Sequence, residues 1–242
     1  MTTLAKFLVT LCMSLAFCSC NISIDGLNGI KGQGEVVKKE RTIDQNFEAV
    51  KASRGLDVIL VESNDKKVIV EANENLHEHI EIYVEKNTLY ITSDENIYRA
   101  DEKKVYVSYD QLNKIHVNSG ASVYSDQEVA QKDLALSASS GADIKLKVKA
   151  QTVNSSVSSG AFIDLEGKVE NHSASASSGA NIRAQDLLSL VSEAKASSGA
   201  NIRIHAQKEF TGKATSGANV VYYGKPEKVS ETDNSGGNVR RN

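Results

Sequence analysis

Seven times between residues 119 and 237 the chain returns to the same short word, Ser-Gly followed by a small residue. The copies are Ser119-Gly120-Ala121, Ser140-Gly141-Ala142, Ser159-Gly160-Ala161, Ser178-Gly179-Ala180, Ser198-Gly199-Ala200, Ser216-Gly217-Ala218 and Ser235-Gly236-Gly237. Successive glycines stand 21, 19, 19, 20, 18 and 19 residues apart. A fixed period near 20 is the mark of a solenoid, in which each unit buries its apolar face only by stacking on its neighbours. Residues after each glycine alternate between apolar and polar, as in Ala200-Asn201-Ile202-Arg203-Ile204 and Ala142-Asp143-Ile144-Lys145-Leu146. That is the period of a strand with one face buried. The half-unit before each glycine alternates too, with Val153, Ser155 and Val157 or Ala194 and Ala196. Residues 185–193 are the one stretch open to a helical reading, and a strand with a small bulge accounts for them equally. The expected fold is all-β: a right-handed parallel β-helix with coils of about 19–21 residues.

Each recurring residue type has a physical role. Glycine enters positive φ without penalty, so Gly120, Gly141, Gly160, Gly179, Gly199, Gly217 and Gly236 are expected to turn the chain at one corner of each coil. The following alanine is small enough to point inward. Asp143, Asn181, Asn201, Asn219 and Asn238 can bond the turn backbone or form a polar ladder with a spacing of about 4.8 Å. A hydroxyl-rich binding face is the functional reading of this Ser/Gly/Asn row, and corner chemistry alone is the simpler one.

Upstream, Lys51-Ala52-Ser53-Arg54-Gly55-Leu56-Asp57-Val58 aligns with Lys195-Ala196-Ser197-Ser198-Gly199-Ala200-Asn201-Ile202, so the repeat is expected to begin near Gly55. The span from there to Gly120 holds longer excursions. Strands are expected over 67–71, 80–85, 88–92 and 104–109, with a hairpin turn at Glu85-Lys86-Asn87-Thr88. Phe47, Tyr83, Tyr90, Tyr98, Tyr106 and Tyr109 gather here, a thicker end that would block an open sheet edge.

The extreme N-terminus reads as a lipoprotein leader. One positive charge precedes an apolar run over residues 7–17, too short to span a bilayer. The run meets Ser19-Cys20, resembling a lipobox, so residues 1–19 are expected to be removed and Cys20 lipidated. The other cysteines, Cys12 and Cys18, leave with the leader, and the mature chain then offers no thiol for a disulfide or a zinc site. Residues 20–42 are expected to be a tether and 43–240 a single solenoid domain. The location expected is the cell envelope, as an outer-membrane lipoprotein facing the periplasm or the surface, with a lipid anchor in the membrane.

The chain resembles the auto-transporter adhesin, head GIN domain family of Bacteroidetes-type lipoproteins. The resemblance is carried by Phe47-Glu48-Ala49-Val50, Gly55-Leu56-Asp57-Val58, the serial Ser-Gly repeats and Tyr223-Gly224-Lys225-Pro226, and covers roughly residues 43–240. It implies a β-helical fold and an envelope location, and brings no catalytic residues with it. The repeats depart from the family in reading Ser-Gly-Ala where relatives often carry Ser-Gly-Ser.

Chemistry is sparse. The net charge of −3 gives no electrostatic footprint for nucleic acid. There is no phosphate loop, nucleophile elbow or zinc motif, and no cofactor is expected. His77-Glu78-His79, with Glu74 and Glu81 in reach, is the nearest approach to a metal site, and reads as a solvated loop. Asp143 and Asp164 share outward parity in adjacent coils, so a carboxylate pair of glycosidase type stays open. The leading expectation is a non-catalytic, adhesin-like module for a glycan, matrix or envelope macromolecule. A structural envelope scaffold and, behind it, a glycan-active enzyme are the alternatives; oligomeric state is left open.

Overall fold

The computed structural model describes residues 29–63, 65 and 67–242. The leader and Cys20 lie outside the described residues. The chain forms a parallel β-solenoid with a strand-rich cap at its N-terminal end. In order, the cap contains β1 (Ile30–Lys31), β2 (Val36–Thr42), β3 (Ala49–Ala52), β4 (Asp57–Glu62), β5 (Lys67–Asn73), β6 (Ile80–Glu85), β7 (Thr88–Ser93), β8 (Ile97–Arg99), β9 (Lys103–Tyr109) and β10 (Lys114–Val117). The coils come next as β11 (Ser122–Ala138), β12 (Asp143–Val157), β13 (Phe162–Ala176), β14 (Asn181–Ala196), β15 (Asn201–His205), β16 (Glu209–Thr215), β17 (Asn219–Tyr223), β18 (Lys228–Asn234) and β19 (Asn238–Arg241).

The long strands each serve two walls. In β12 the residues Ile144, Leu146 and Val148 point inward, then the parity shifts and Val153, Ser155 and Val157 do. A change of phase within one continuous strand is what a bend requires, because side chains must reach the same interior from both sides of the corner. Wall I therefore stacks the half-coils after each glycine: β4 on the front of β11, then β12, β13, β14, β15, β17 and β19, all parallel. Wall II stacks the other halves: β3, β10, the back of β11, then β12, β13, β14, β16 and β18. The interior between them is thin. Wall I contributes Ile163, Leu165, Ile182 and Ile202, against Ala174, Ala176, Ala194 and Ala196 of wall II. Pairing large with small residues fills a narrow space without aromatic rings, which accounts for the 5% aromatic content.

The corner is a two-residue turn in which both central residues are left-handed. The glycines have φ of +69° to +74°, and the residues before them, Arg54 and the seven serines, +51° to +56°. Ala142 N–H closes one such turn on the Ser139 carbonyl at 3.2 Å, the geometry of a type I′ turn. Gly141 N–H then donates to the Ser159 carbonyl one coil on, at 3.1 Å, so the turns are hydrogen-bonded into a column. A Cβ at Gly141 would meet nothing within 4 Å; the requirement for glycine is backbone conformation, not space. Gly167 is the contrasting case: there a Cβ would stand 2.1 Å from the Val148 carbonyl oxygen.

The cap differs from the expected tether and loop. Strands β1 and β2 lie within residues 20–42, and β2 runs antiparallel along β5 from Val36↔Asn73 to Thr42↔Lys67. Beyond β5 come β9, antiparallel to it, and β4, parallel to β9, so wall I ends in three added strands. Wall II ends in β7, parallel to β3, and the hairpin partner β6. The β6–β7 turn has Lys86 and Asn87 at φ +48° and +62°, as the hairpin reading requires. Residues 185–193 lie inside β14, with a register shift against β13.

Candidate functional site

Two interior features look chemical and are structural. Ser155 Oγ lies 2.9 Å from His172 Nε2, the contact of an activated nucleophile and its base. Both side chains are sealed inside the solenoid, and no carboxylate orients His172, whose buried Nδ1 has no partner. Burial drives the His172 pKa down to about 4, so the ring is neutral and serves as a core residue. Ser189 and Ser192 both donate to the His205 carbonyl, which satisfies the backbone where β15 ends early.

The His77-Glu78-His79 segment is not a strand. It falls on and just after a 3-10 turn, Glu74–Glu78, where His77 is buried with Nε2 at 3.1 Å from the Val37 carbonyl. Desolvation lowers the His77 pKa. His79 turns the other way, to the Asp94 carboxylate at 3.1 Å. The two imidazoles therefore do not share a face, and no group of three potential metal ligands occurs among the described residues.

The outer face of wall I brings the chemistry-bearing residues together, in columns fixed by register. The first column reads Asp57, Ser122, Asp143, Phe162, Asn181, Asn201, Asn219 and Asn238. Asn201 Nδ2 donates to Asn181 Oδ1 at 3.1 Å, and Asn219 Nδ2 to Asn201 Oδ1 at 3.2 Å. Asn181 Nδ2 closes the lower end on the Gly179 carbonyl at 3.3 Å. Asp143 does not join: Phe162 occupies the intervening coil. Asn238 stands opposite Asn219 at the open end.

The next column holds Tyr124, Lys145, Asp164, Arg183, Arg203, Val221 and Arg240. Asp143 and Asp164 are diagonal, and Lys145 is the residue opposite Asp164, so the two carboxylates do not form a facing pair. Both line a recess of about 500 Å³. Burial raises the Asp143 pKa. Sequence parity placed the two acids on one face, and the register sets them in neighbouring columns of it. The second recess, about 360 Å³, runs along Asn181, Arg183, Asn201, Arg203, Asn219 and Arg240. The arginine column was not recognised from sequence, although each member sits two residues after a ladder Asn: Arg183, Arg203 and Arg240.

A family described as "Putative auto-transporter adhesin, head GIN domain" matches residues 46–226. The chain belongs to this family. Solved structures share its fold. A "putative adhesin" from Bacteroides fragilis superposes with a TM-score of 0.82 at 17% identity, covering 88% of this chain and 100% of its own. A "putative lipid binding protein" from Parabacteroides distasonis gives 0.73 at 17% identity, covering 88% and 99%. A "putative adhesin" from Parabacteroides merdae gives 0.71 at 19%, covering 88% and 98%. At such identities the likeness is one of fold. A search of curated proteins gives no match. No helix among the described residues is long and apolar enough to cross a membrane.

Proposed function

We propose that the chain is a cell-envelope lipoprotein, anchored through Cys20, that works as a non-catalytic, adhesin-like binding module for a glycan, matrix or envelope macromolecule. The observation that carries this reading is the outer face of wall I, where the amides of Asn181, Asn201 and Asn219, already tied to one another, stand in one column on a continuous parallel sheet. Side chains held in place before binding lose little entropy on binding, which suits an extended and repetitive ligand. Membership of the head GIN domain family supports an extracellular or envelope setting.

The purified protein, screened against an array of glycans and extracellular-matrix proteins, is expected to give saturable binding, with no glycan altered by mass spectrometry. Turnover that disappears in Asp143→Ala would replace this reading with a glycan-active enzyme. Silence across the array, from a clean monomer, would move the protein to a structural role among envelope partners.

A further inference from the structure

Arg183 and Arg203 are directly opposed on neighbouring strands, and Arg240 stands two coils beyond Arg203 in the same column. Like charges directly opposite one another destabilise a sheet. Yet among the described residues no carboxylate lies within ion-pair distance of any of the three guanidiniums. Asp164, opposite Arg183, does not take it; Arg183 instead lies over the Phe162 ring, 4.8 Å from its centroid. The chain is acidic overall, with a net charge of −3, so an unneutralised arginine column is a local segregation of charge.

Beside it runs the amide ladder. Each side-chain amide has two N–H donors, and the ladder uses one, which leaves the second available at each step. Guanidiniums and amide donors thus run side by side in adjacent columns over three coil steps, about 14 Å. Val221 is the only apolar side chain in the arginine column between Arg183 and Arg240, too little apolar surface to seat an acyl chain. The guanidiniums lie in one column along the solenoid axis, one coil apart and then two, which matches a polymer carrying several anions better than a single headgroup.

We infer that the groove along Asn181, Arg183, Asn201, Arg203, Asn219 and Arg240 binds an acidic polysaccharide, its sulfate or carboxylate groups paired with the arginines and its hydroxyls with the amides. Arginine suits this role because its planar fork pairs with such oxyanions through two parallel hydrogen bonds. This inference rests on the binding-module reading above and names the ligand chemistry and the wall.

The test uses the purified protein with heparin as the sulfated probe, polygalacturonate as the carboxylate probe and dextran as the neutral control. Anionic vesicles of phosphatidylglycerol form a further arm. At least one acidic polymer is expected to bind, more weakly as salt rises, while dextran does not. Affinity should fall at least tenfold in R203Q/R240Q, two exposed positions where glutamine keeps the fold. The pair K195Q/K213Q removes the same charge from the outer face of wall II and should leave binding unchanged. Equal losses in the two double variants would reduce the effect to general charge and overturn the inference. So would arginine-dependent capture of vesicles without capture of either polymer, or no binding to either. If the wider array shows binding that ignores R203Q/R240Q, this groove is wrong and the adhesin-like reading stands.

Discussion

At the scale of single residues, the interior of wall II holds a few buried polar groups, and His172 is the most sensitive of these to pH. Its column places Val153 on one side and Ser192 on the other, with no water-accessible surface to solvate a cation. The folded pKa is about 4, against roughly 6.5 for an unfolded histidine. A depressed histidine contributes stability that is complete above the unfolded pKa and is lost as pH falls from there to the folded value. Acidification from pH 7 to 4 should therefore cost about 3 kcal/mol through this residue alone. His172→Leu, close in volume and unable to ionise, should flatten the pH dependence by about that amount, measured as urea midpoints across the range. The other desolvated histidines, His77, His116 and His205, stay common to both proteins and cancel in the comparison. Parallel loss of stability in parent and variant would mean that the ring is not held neutral. The glycine corners were legible in sequence because Gly recurs at a fixed period, but the left-handed serines before them were not. Serine carries no mark of positive φ, and only the stacked type I′ geometry assigns it.

At the scale of elements, β2 is the strand that composition concealed. Its sequence, Val36-Val37-Lys38-Lys39-Glu40-Arg41-Thr42, reads as part of a charged tether, yet it covers the whole outer edge of β5. Charge is what an edge strand needs, since lysines and arginines discourage further strand pairing. A protective edge and a linker thus look alike until pairing is known. The strand also holds the 3-10 turn: Arg41 Nη2 donates to the His77 carbonyl at 2.7 Å. Lys38 sits 3.5 Å from Glu71 and over the Tyr106 ring, and the Tyr106 hydroxyl donates to Glu71 at 2.7 Å. A chain begun at Ile43 would leave the β5 backbone donors and acceptors bare along seven paired positions. It is expected to self-associate with rising concentration in sedimentation experiments, more strongly than the intact protein. A truncated chain that stays monomeric over the same range would show that β2 is dispensable as a cover.

At the scale of the whole molecule, the two ends of the solenoid are unequal. The N-terminal end is closed by antiparallel strands on both walls and carries most of the large side chains. At the other end, every residue of β18 is exposed, and β19 buries only Val239. The last substantial apolar layer is the Phe210–Tyr222 stack, with centroids 4.2 Å apart. In a solenoid each coil is stabilised mainly by its neighbours, and β18 and β19 each have one neighbour only, β16 and β17. Native-state hydrogen exchange should therefore show β18 and β19 opening first, at far lower free energy than β3, β4 and β10, which lie between two paired strands. The repeat made the stack legible in sequence, but a terminal coil reads like its neighbours there, and only pairing distinguishes it. This asymmetry also reports on the groove, because Arg240 lies on β19 and Arg203 two coils inward. A polymer bridging them binds these coils when β19 is paired and not when it is frayed, so it must raise the cost of opening. At a hundredfold excess over its dissociation constant the gain is about 2.7 kcal/mol, a slowing of roughly a hundredfold at the β19 amides. Whichever acidic polymer binds, heparin or polygalacturonate, should produce that protection at β19 in the parent protein and little in R203Q/R240Q. Protection spread evenly over both walls would instead point to binding elsewhere on the solenoid.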